Sequence, residues 1–71
     1  MPLPNHTRVI RMRELTKLTG LARSRIYQLQ AEGQFPKSIK LGPRSVGWVE
    51  LEVQAWIEQR MLARDTPLAR T

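Results

Sequence analysis

The sequence predicts a small α+β domain that is mainly helical, and three patterns in its 71 residues support this. Two short apolar patterns of helical period are separated at Thr19 and Gly20. A segment of strand period follows, around a Gly42-Pro43 turn, and a longer helical pattern begins at Glu50. Together these patterns predict two short helices, a two-stranded β-hairpin and a third helix.

The first helix is predicted to be short and to end at a glycine. Leu15 and Leu18 are three positions apart, which fits a helix of about two turns. Gly20 follows, and glycine readily adopts the positive φ of a helix C-terminus. The residues before it, 7–12, alternate enough to form a short strand or an extended segment. We expect a domain over residues 8–64, a flexible leader at 1–7 and a flexible tail at 65–71.

The second helix is predicted to run from about Ala22 to Glu32, because Gly33 supplies its end. Leu21, Ile26 and Leu29 share the side that packs against the first helix. The opposite side carries Ser24, Gln28 and Ala31, and the flanks carry Arg23, Arg25 and Tyr27. This helix therefore has a basic first turn that faces away from the core.

The hairpin is predicted over residues 38–49, and we call Ser38 to Val49 the wing. Ile39 and Leu41 share one face of its first strand, and Val46 and Trp48 share one face of its second. No acidic residue occurs from 34 to 49, whereas three cations do: Lys37, Lys40 and Arg44.

In the third helix Val53, Trp56 and Ile57 form the inward stripe. Trp48 and Trp56 could stack on bases, but their positions on apolar stripes favour core packing. For Tyr27 two interpretations stay open: its ring packs against the hairpin, or its hydroxyl reaches a phosphate.

Two short helices joined by a glycine-containing turn are typical of a helix-turn-helix, whose second helix enters the DNA major groove. A basic hairpin directly after that helix fits a winged variant that grips phosphates. The net charge of +6 also favours a polyanionic partner. The alternative from the same pattern is an ordinary helical hairpin in a small basic domain.

These considerations give two sets of candidate DNA contacts. Base readout is assigned to the exposed side and flanks of the second helix: Arg23, Ser24, Arg25 and Gln28. Backbone contact is assigned to the wing and its neighbours: Lys17, Tyr27, Lys37, Lys40, Arg44 and Ser45.

Three runs carry a resemblance to a known family: TGL.RS.IY at 19–27, EGQFPKSIKLG at 32–42 and R.VGW.E.EV.AW at 44–56. Over about residues 8–62 the chain resembles the AlpA family of prophage transcriptional regulators. These are small relatives of the excisionase and MerR-like winged helix-turn-helix proteins. The resemblance implies sequence-specific binding to double-stranded DNA near phage or genomic-island genes. It implies either control of integrase and excision genes or service as an excisionase that bends DNA at attachment sites.

The sequence departs from the family pattern at two helix starts. The family usually has Ser just before the recognition helix, where this chain has Ala22. Its usual Pro at the start of the first helix is Arg13 here. Because Ala22 has no side-chain oxygen to cap the helix, we expect the start of the second helix to fray or shift.

The residue inventory argues against an enzyme and against a metal or other cofactor. There is no cysteine, and His6, in the expected leader, is the sole histidine. No apolar run approaches the roughly 18 residues of a membrane span, so we expect a cytoplasmic protein without membrane contact.

The competing hypothesis from another class is a protein-interaction module whose basic face docks an acidic partner. Leu51 and Leu62, off the inward stripe of the third helix, would then be apolar contacts. Integrase, RNA polymerase and further copies of the chain on DNA are the partners to consider. We expect little self-association without DNA.

Overall fold

The computed structural model describes residues 7–65. Its elements follow the predicted order: β1 (Val9–Ile10), α1 (Met12–Thr19), α2 (Arg23–Ala31), β2 (Ile39–Gly42), β3 (Ser45–Val49) and α3 (Glu50–Asp65). The α+β, mainly helical class is confirmed. Most of the expected leader, with His6, and most of the expected tail lie outside the described residues, so the domain limits stay predictions. Among residues 7–65, no helix combines the length and apolar composition that a membrane crossing requires.

The sheet has three strands in the order β1-β3-β2, one more than the predicted hairpin. β1 pairs antiparallel with β3, with Val9 opposite Val49 and Ile10 opposite Trp48. The extended segment at 7–12 therefore contains a strand. A strand of two residues is too short to show a reliable alternating pattern, and its pairing partner is distant in sequence.

The turn of the wing lies one residue later than predicted. β2 ends at Gly42 and β3 begins at Ser45, and these two residues face each other across the ladder. The turn residues are therefore Pro43 and Arg44. Proline suits the first central position of a turn because its φ is already fixed near −65°. The register shifts between Lys40 and Gly42, so β2 contains an irregularity at Leu41.

The core lies between the helices and one face of the sheet. Its buried residues are Ile10, Leu15, Ile26, Leu29, Phe35, Trp48 and Val53. Leu21, Trp56 and Ile57 pack against this cluster, as the periodicity predicts. Leu18 does not join it and is 39% exposed. α1 has only eight residues, and its contacts with the core come from Leu15 and the partly buried Met12.

Candidate nucleic-acid interface

The turn between α1 and α2 is built by two adjacent residues. Gly20 has φ 75°, and its N–H donates to Thr16 O at 2.8 Å. The Thr19 hydroxyl donates to Leu15 O at 2.9 Å and accepts from the Leu21 N–H at 3.2 Å. These bonds satisfy polar groups at the end of α1 and redirect the chain at once. The break after Thr19 therefore sets the direction in which α2 leaves the turn.

α2 buries Ile26 and Leu29 and leaves its other sides in solvent. Ala22 occupies the N-cap in extended conformation. No side chain of residues 7–65 caps the helix, as expected because the Ala22 side chain has no oxygen. All four residues assigned to base readout are exposed: Arg23, Ser24, Arg25 and Gln28. The first three lie in the first turn of the helix and Gln28 lies about one turn further along.

Glu32 is a neighbour of this set that the sequence analysis did not single out. Gln28 Nε2 donates to Glu32 Oε2 at 3.5 Å, a long contact between exposed side chains. Residues four apart on a helix lie on one side of it, so this spacing could have indicated the pair.

Trp48 belongs to the core and Trp56 packs against it, and together they hold α2 and the following loop in place. Trp48 is fully buried, and its Nε1 donates to Gln30 Oε1 at 2.7 Å. Trp56 Nε1 donates to Gln34 O at 2.8 Å, and its ring meets Phe35 edge to face at 4.8 Å between centroids. Core packing, the favoured interpretation, is what the structure shows for both rings.

The wing and the loop before it present their cations to solvent. Lys37, Lys40 and Arg44 are exposed, and Ser45 is half-buried. Arg44 lies in the turn, whereas Lys40 lies opposite Val46 on the edge strand β2. These positions space the charges along the wing, from the loop before β2 to the tip.

Lys17 and Tyr27 lie on the two helices of the helix-turn-helix. Lys17 is exposed and lines a shallow groove with Arg11 and Arg13. Tyr27 is 44% exposed, so a large part of the residue is accessible to a ligand.

Some cations of the chain are already engaged within the protein. Arg8 contacts Glu14 and Glu50, each at 2.9 Å. The hydrogen bond to Glu14, the Glu14 charge and the Glu50 charge raise the pKa of the Arg8 guanidinium above its ordinary value. On α3, Arg64 pairs with Asp65 at 2.9 Å and Arg60 lies 5.1 Å from the Trp56 ring centroid.

The remaining cations of residues 7–65 are exposed and make no side-chain hydrogen bond or ion pair within that range. They are Arg11, Arg13, Lys17, Arg23, Arg25, Lys37, Lys40 and Arg44. All eight precede α3, so the unneutralised positive charge belongs to the helix-turn-helix and the wing. Arg11 and Arg13 were not among the predicted contacts, although Arg13 is four positions from Lys17, a spacing that places both on one side of α1. Within residues 7–65 no group of three His, Cys, Asp or Glu side chains could hold a metal ion.

Comparison with known proteins gives concordant matches. The family model described as prophage CP4-57 regulatory protein (AlpA) matches residues 8–61. The DNA-binding transcriptional activator AlpA of Escherichia coli (strain K12) is 37% identical over 59 residues, which cover 75% of this chain and 84% of that protein. The uncharacterized protein ORF88 of Enterobacteria phage P4 is 44% identical over 66 residues, which cover 90% of this chain and 75% of that protein.

Proposed function

Because the chain belongs to the AlpA family of prophage regulatory proteins, we propose that it binds double-stranded DNA sequence-specifically and regulates transcription of phage or genomic-island genes, integrase and excision genes among them. The observation that carries the proposal is the division of charge. Within residues 7–65 the cations of the helix-turn-helix and wing make no ion pair, whereas those of α3 are engaged. Because no internal ion pair has to be broken, these exposed cations can contact DNA phosphates directly.

In this proposal α2 lies in the major groove and reads bases. Arg23 and Arg25 can each bind guanine O6 and N7 with two hydrogen bonds, and Gln28 can bind adenine N6 and N7. The Ser24 hydroxyl can accept or donate a hydrogen bond and therefore tolerates different bases. Since Gln28 already donates one N–H to Glu32, its Oε1 and its other N–H remain for a base.

The wing and its neighbours hold the DNA backbone. Lys37, Lys40 and Arg44 supply charge, and Lys17, Tyr27 and Ser45 supply further donors. Contacts to phosphates fix the position of the protein on the duplex but carry no sequence information. Substitutions of the base contacts should therefore change sequence specificity, whereas substitutions of the backbone contacts should change affinity for all DNA.

The deciding experiment distinguishes residues that contact bases from residues that contact phosphates. Sites are first selected from a randomised duplex library, and each variant is then titrated on the selected site and on random duplex. Gln28→Ala and Arg23→Ala are expected to lose about 1–3 kcal/mol on the selected site and much less on random DNA. Lys40→Ala and Arg44→Ala are expected to weaken both by similar factors.

Gln54→Ala, an exposed change on α3, is the matched control and should leave both affinities unchanged. Circular dichroism of each variant checks the fold, because Arg44 lies in a turn. The reverse pattern, with wing variants changing base preference and α2 variants lowering all affinities equally, would refute the assignment. Absence of any DNA affinity at low salt would instead favour an interaction module for an acidic partner.

A further inference from the structure

Two exposed surfaces carry apolar side chains that are not among the proposed DNA contacts, and the first lies on the sheet. Residues opposite each other in an antiparallel ladder share a face. Ile10 and Trp48 therefore face the core, and Val9 and Ile39 face outward. Leu41 joins the outward side, because its Cδ1 lies 3.0 Å from a Cβ built on Gly47, the residue opposite Ile39. Val9, Ile39 and Leu41, which are 40%, 40% and 47% exposed, form what we call the outer sheet face.

The outer sheet face has a basic rim. Val9 lines the shallow groove that also contains Arg11, Arg13 and Lys17. Glu14 lies in the same groove but is paired with Arg8 at 2.9 Å. The rim is therefore positively charged, and the whole surface fits a partner that is apolar and acidic.

The second surface lies on α3, on the side away from the core. Leu51, Ala55, Glu58 and Leu62 are spaced by four, three and four positions, which places them on one side of a helix. All four are exposed, Leu51 at 45% and Leu62 at 66%, and we call them the outer α3 face.

The outer α3 face is apolar and acidic. Every residue from 58 to 65 is exposed. Glu58 makes no ion pair within residues 7–65, whereas the α3 cations Arg60 and Arg64 are engaged with Trp56 and Asp65. The face therefore has the chemistry that the outer sheet face requires.

We infer that the outer sheet face of one copy binds the outer α3 face of a second copy, and the inference rests on the proposed function in that DNA brings the copies together. Charge decides between the possible pairings. Two α3 faces would bring Glu58 near Glu58, and two sheet faces would bring Arg11 and Arg13 near their equivalents, whereas the mixed contact pairs opposite charges. Such a contact is heterologous, because it joins two different faces. A pair of copies therefore still has one outer sheet face and one outer α3 face unoccupied, and further copies can bind there.

The contact is expected to be weak without DNA. About three apolar side chains from each copy bury far less surface than the roughly 800 Å² per partner that stable interfaces bury. Adjacent binding on one duplex raises the effective concentration of the second copy into a range where a weak contact is occupied. The structure therefore assigns a contact that forms mainly between neighbours on DNA.

Cross-linking tests the contact directly, since the chain has no cysteine of its own. Leu41→Cys and Ala55→Cys proteins are mixed on a long random-sequence duplex and treated with a short bismaleimide. The mixture should give a cross-linked dimer several-fold above the matched mixture of Leu18→Cys with Ala55→Cys. Leu18 is exposed and apolar like Leu41 but lies outside both faces. Leaving out the duplex should reduce the yield.

Each outcome has a defined consequence. Cross-linking of either variant with itself as strongly as in the mixture would overturn the inference, because it indicates a symmetric contact. DNA binding by anisotropy without preferential cross-linking would also overturn it, and would leave the DNA proposal intact. Preferential cross-linking at high protein concentration without any DNA binding would support the contact and refute the proposed function.

Charge exchange provides a second measurement that does not depend on cysteine placement. Added to the cysteine pair, Glu58→Lys on the Ala55→Cys protein should lower the yield. Arg11→Glu with Arg13→Glu on the Leu41→Cys protein should lower it too. Combining the two changes should restore part of the yield. Failure of restoration with proteins that fold and still bind the duplex would count against the pairing.

Discussion

Trp48 Nε1 in β3 donates a 2.7 Å hydrogen bond to Gln30 Oε1 in α2. Trp48 is fully buried, and the bond satisfies the indole N–H, the only polar group of the side chain. It also joins the wing to the second helix. The wing and α2 are the two elements proposed to contact DNA, so this bond helps to fix the distance between the contacts to bases and those to phosphates.

Replacing Gln30 by Ala should destabilise the protein by about 1–3 kcal/mol, because the buried indole N–H is left without an acceptor. Urea denaturation monitored by tryptophan fluorescence measures the change. Gln54→Ala, on the exposed side of α3, is the control and should change stability by less than about 0.5 kcal/mol. Equal effects of the two substitutions would show that the bond contributes little.

Gly47→Ala should destabilise by about 1–3 kcal/mol through overpacking. A Cβ at this position would lie 2.5 Å from Val9 Cγ1 and 3.1 Å from Ile10 O. Gly42→Ala is the matched control in the same wing, since its Cβ would meet nothing closer than Ser45 Cβ at 3.9 Å. Thermal unfolding of both variants provides the comparison.

Removing the clash with the Val9 side chain should recover only part of the stability lost in Gly47→Ala. In the double variant Gly47→Ala with Val9→Ala, the contact with Val9 is relieved, but the close approaches to Leu41 Cδ1 and to the backbone oxygen of Ile10 remain. A Gly47→Ala protein as stable as Gly42→Ala would contradict the packing of Val9 and Leu41 over this position.

Ala22→Ser should stabilise the protein by about 0.5–2 kcal/mol, because a serine hydroxyl can cap the free N–H groups of α2. Ala22 already has the extended N-cap conformation, with φ −72° and ψ 155°, so the backbone need not move. Chemical denaturation measures the gain. Ala55→Ser, at an exposed position in the interior of α3, should instead lose a few tenths of a kcal/mol to lower helix propensity. The absence of any gain would contradict the expectation that the missing cap at Ala22 weakens the start of α2.

DNA affinity should fall steeply with salt. About four to six phosphate contacts from the helix-turn-helix and wing predict a log-log slope of roughly −4 to −5, and a slope shallower than about −2 would contradict the basic surface. Lys40→Gln should reduce the slope by about one unit. Arg64→Gln is the control and should leave it unchanged, because Arg64 is already paired with Asp65 on α3.

The sequence by itself determined the features that depend on near neighbours in the chain. Helical period placed Ile26 and Leu29 inward and left Arg23 and Gln28 outward, because side chains three and four positions apart share a helix side. Gly20 and Gly33 ended the two helices where predicted, with φ of 75° and 72°, because only glycine adopts this conformation without steric cost.

The tertiary structure alone decided the features that depend on residues far apart in sequence. The pairing of Val9 with Val49, the bond from Trp48 to Gln30 and the engagement of Arg8 by Glu50 have no local signal. The same holds for which face of the sheet is buried: Ile39 and Leu41 alternate as a core strand would, yet they lie outward. Sequence spacing shows that two residues share a face, but whether that face meets the core or solvent depends on what packs against it.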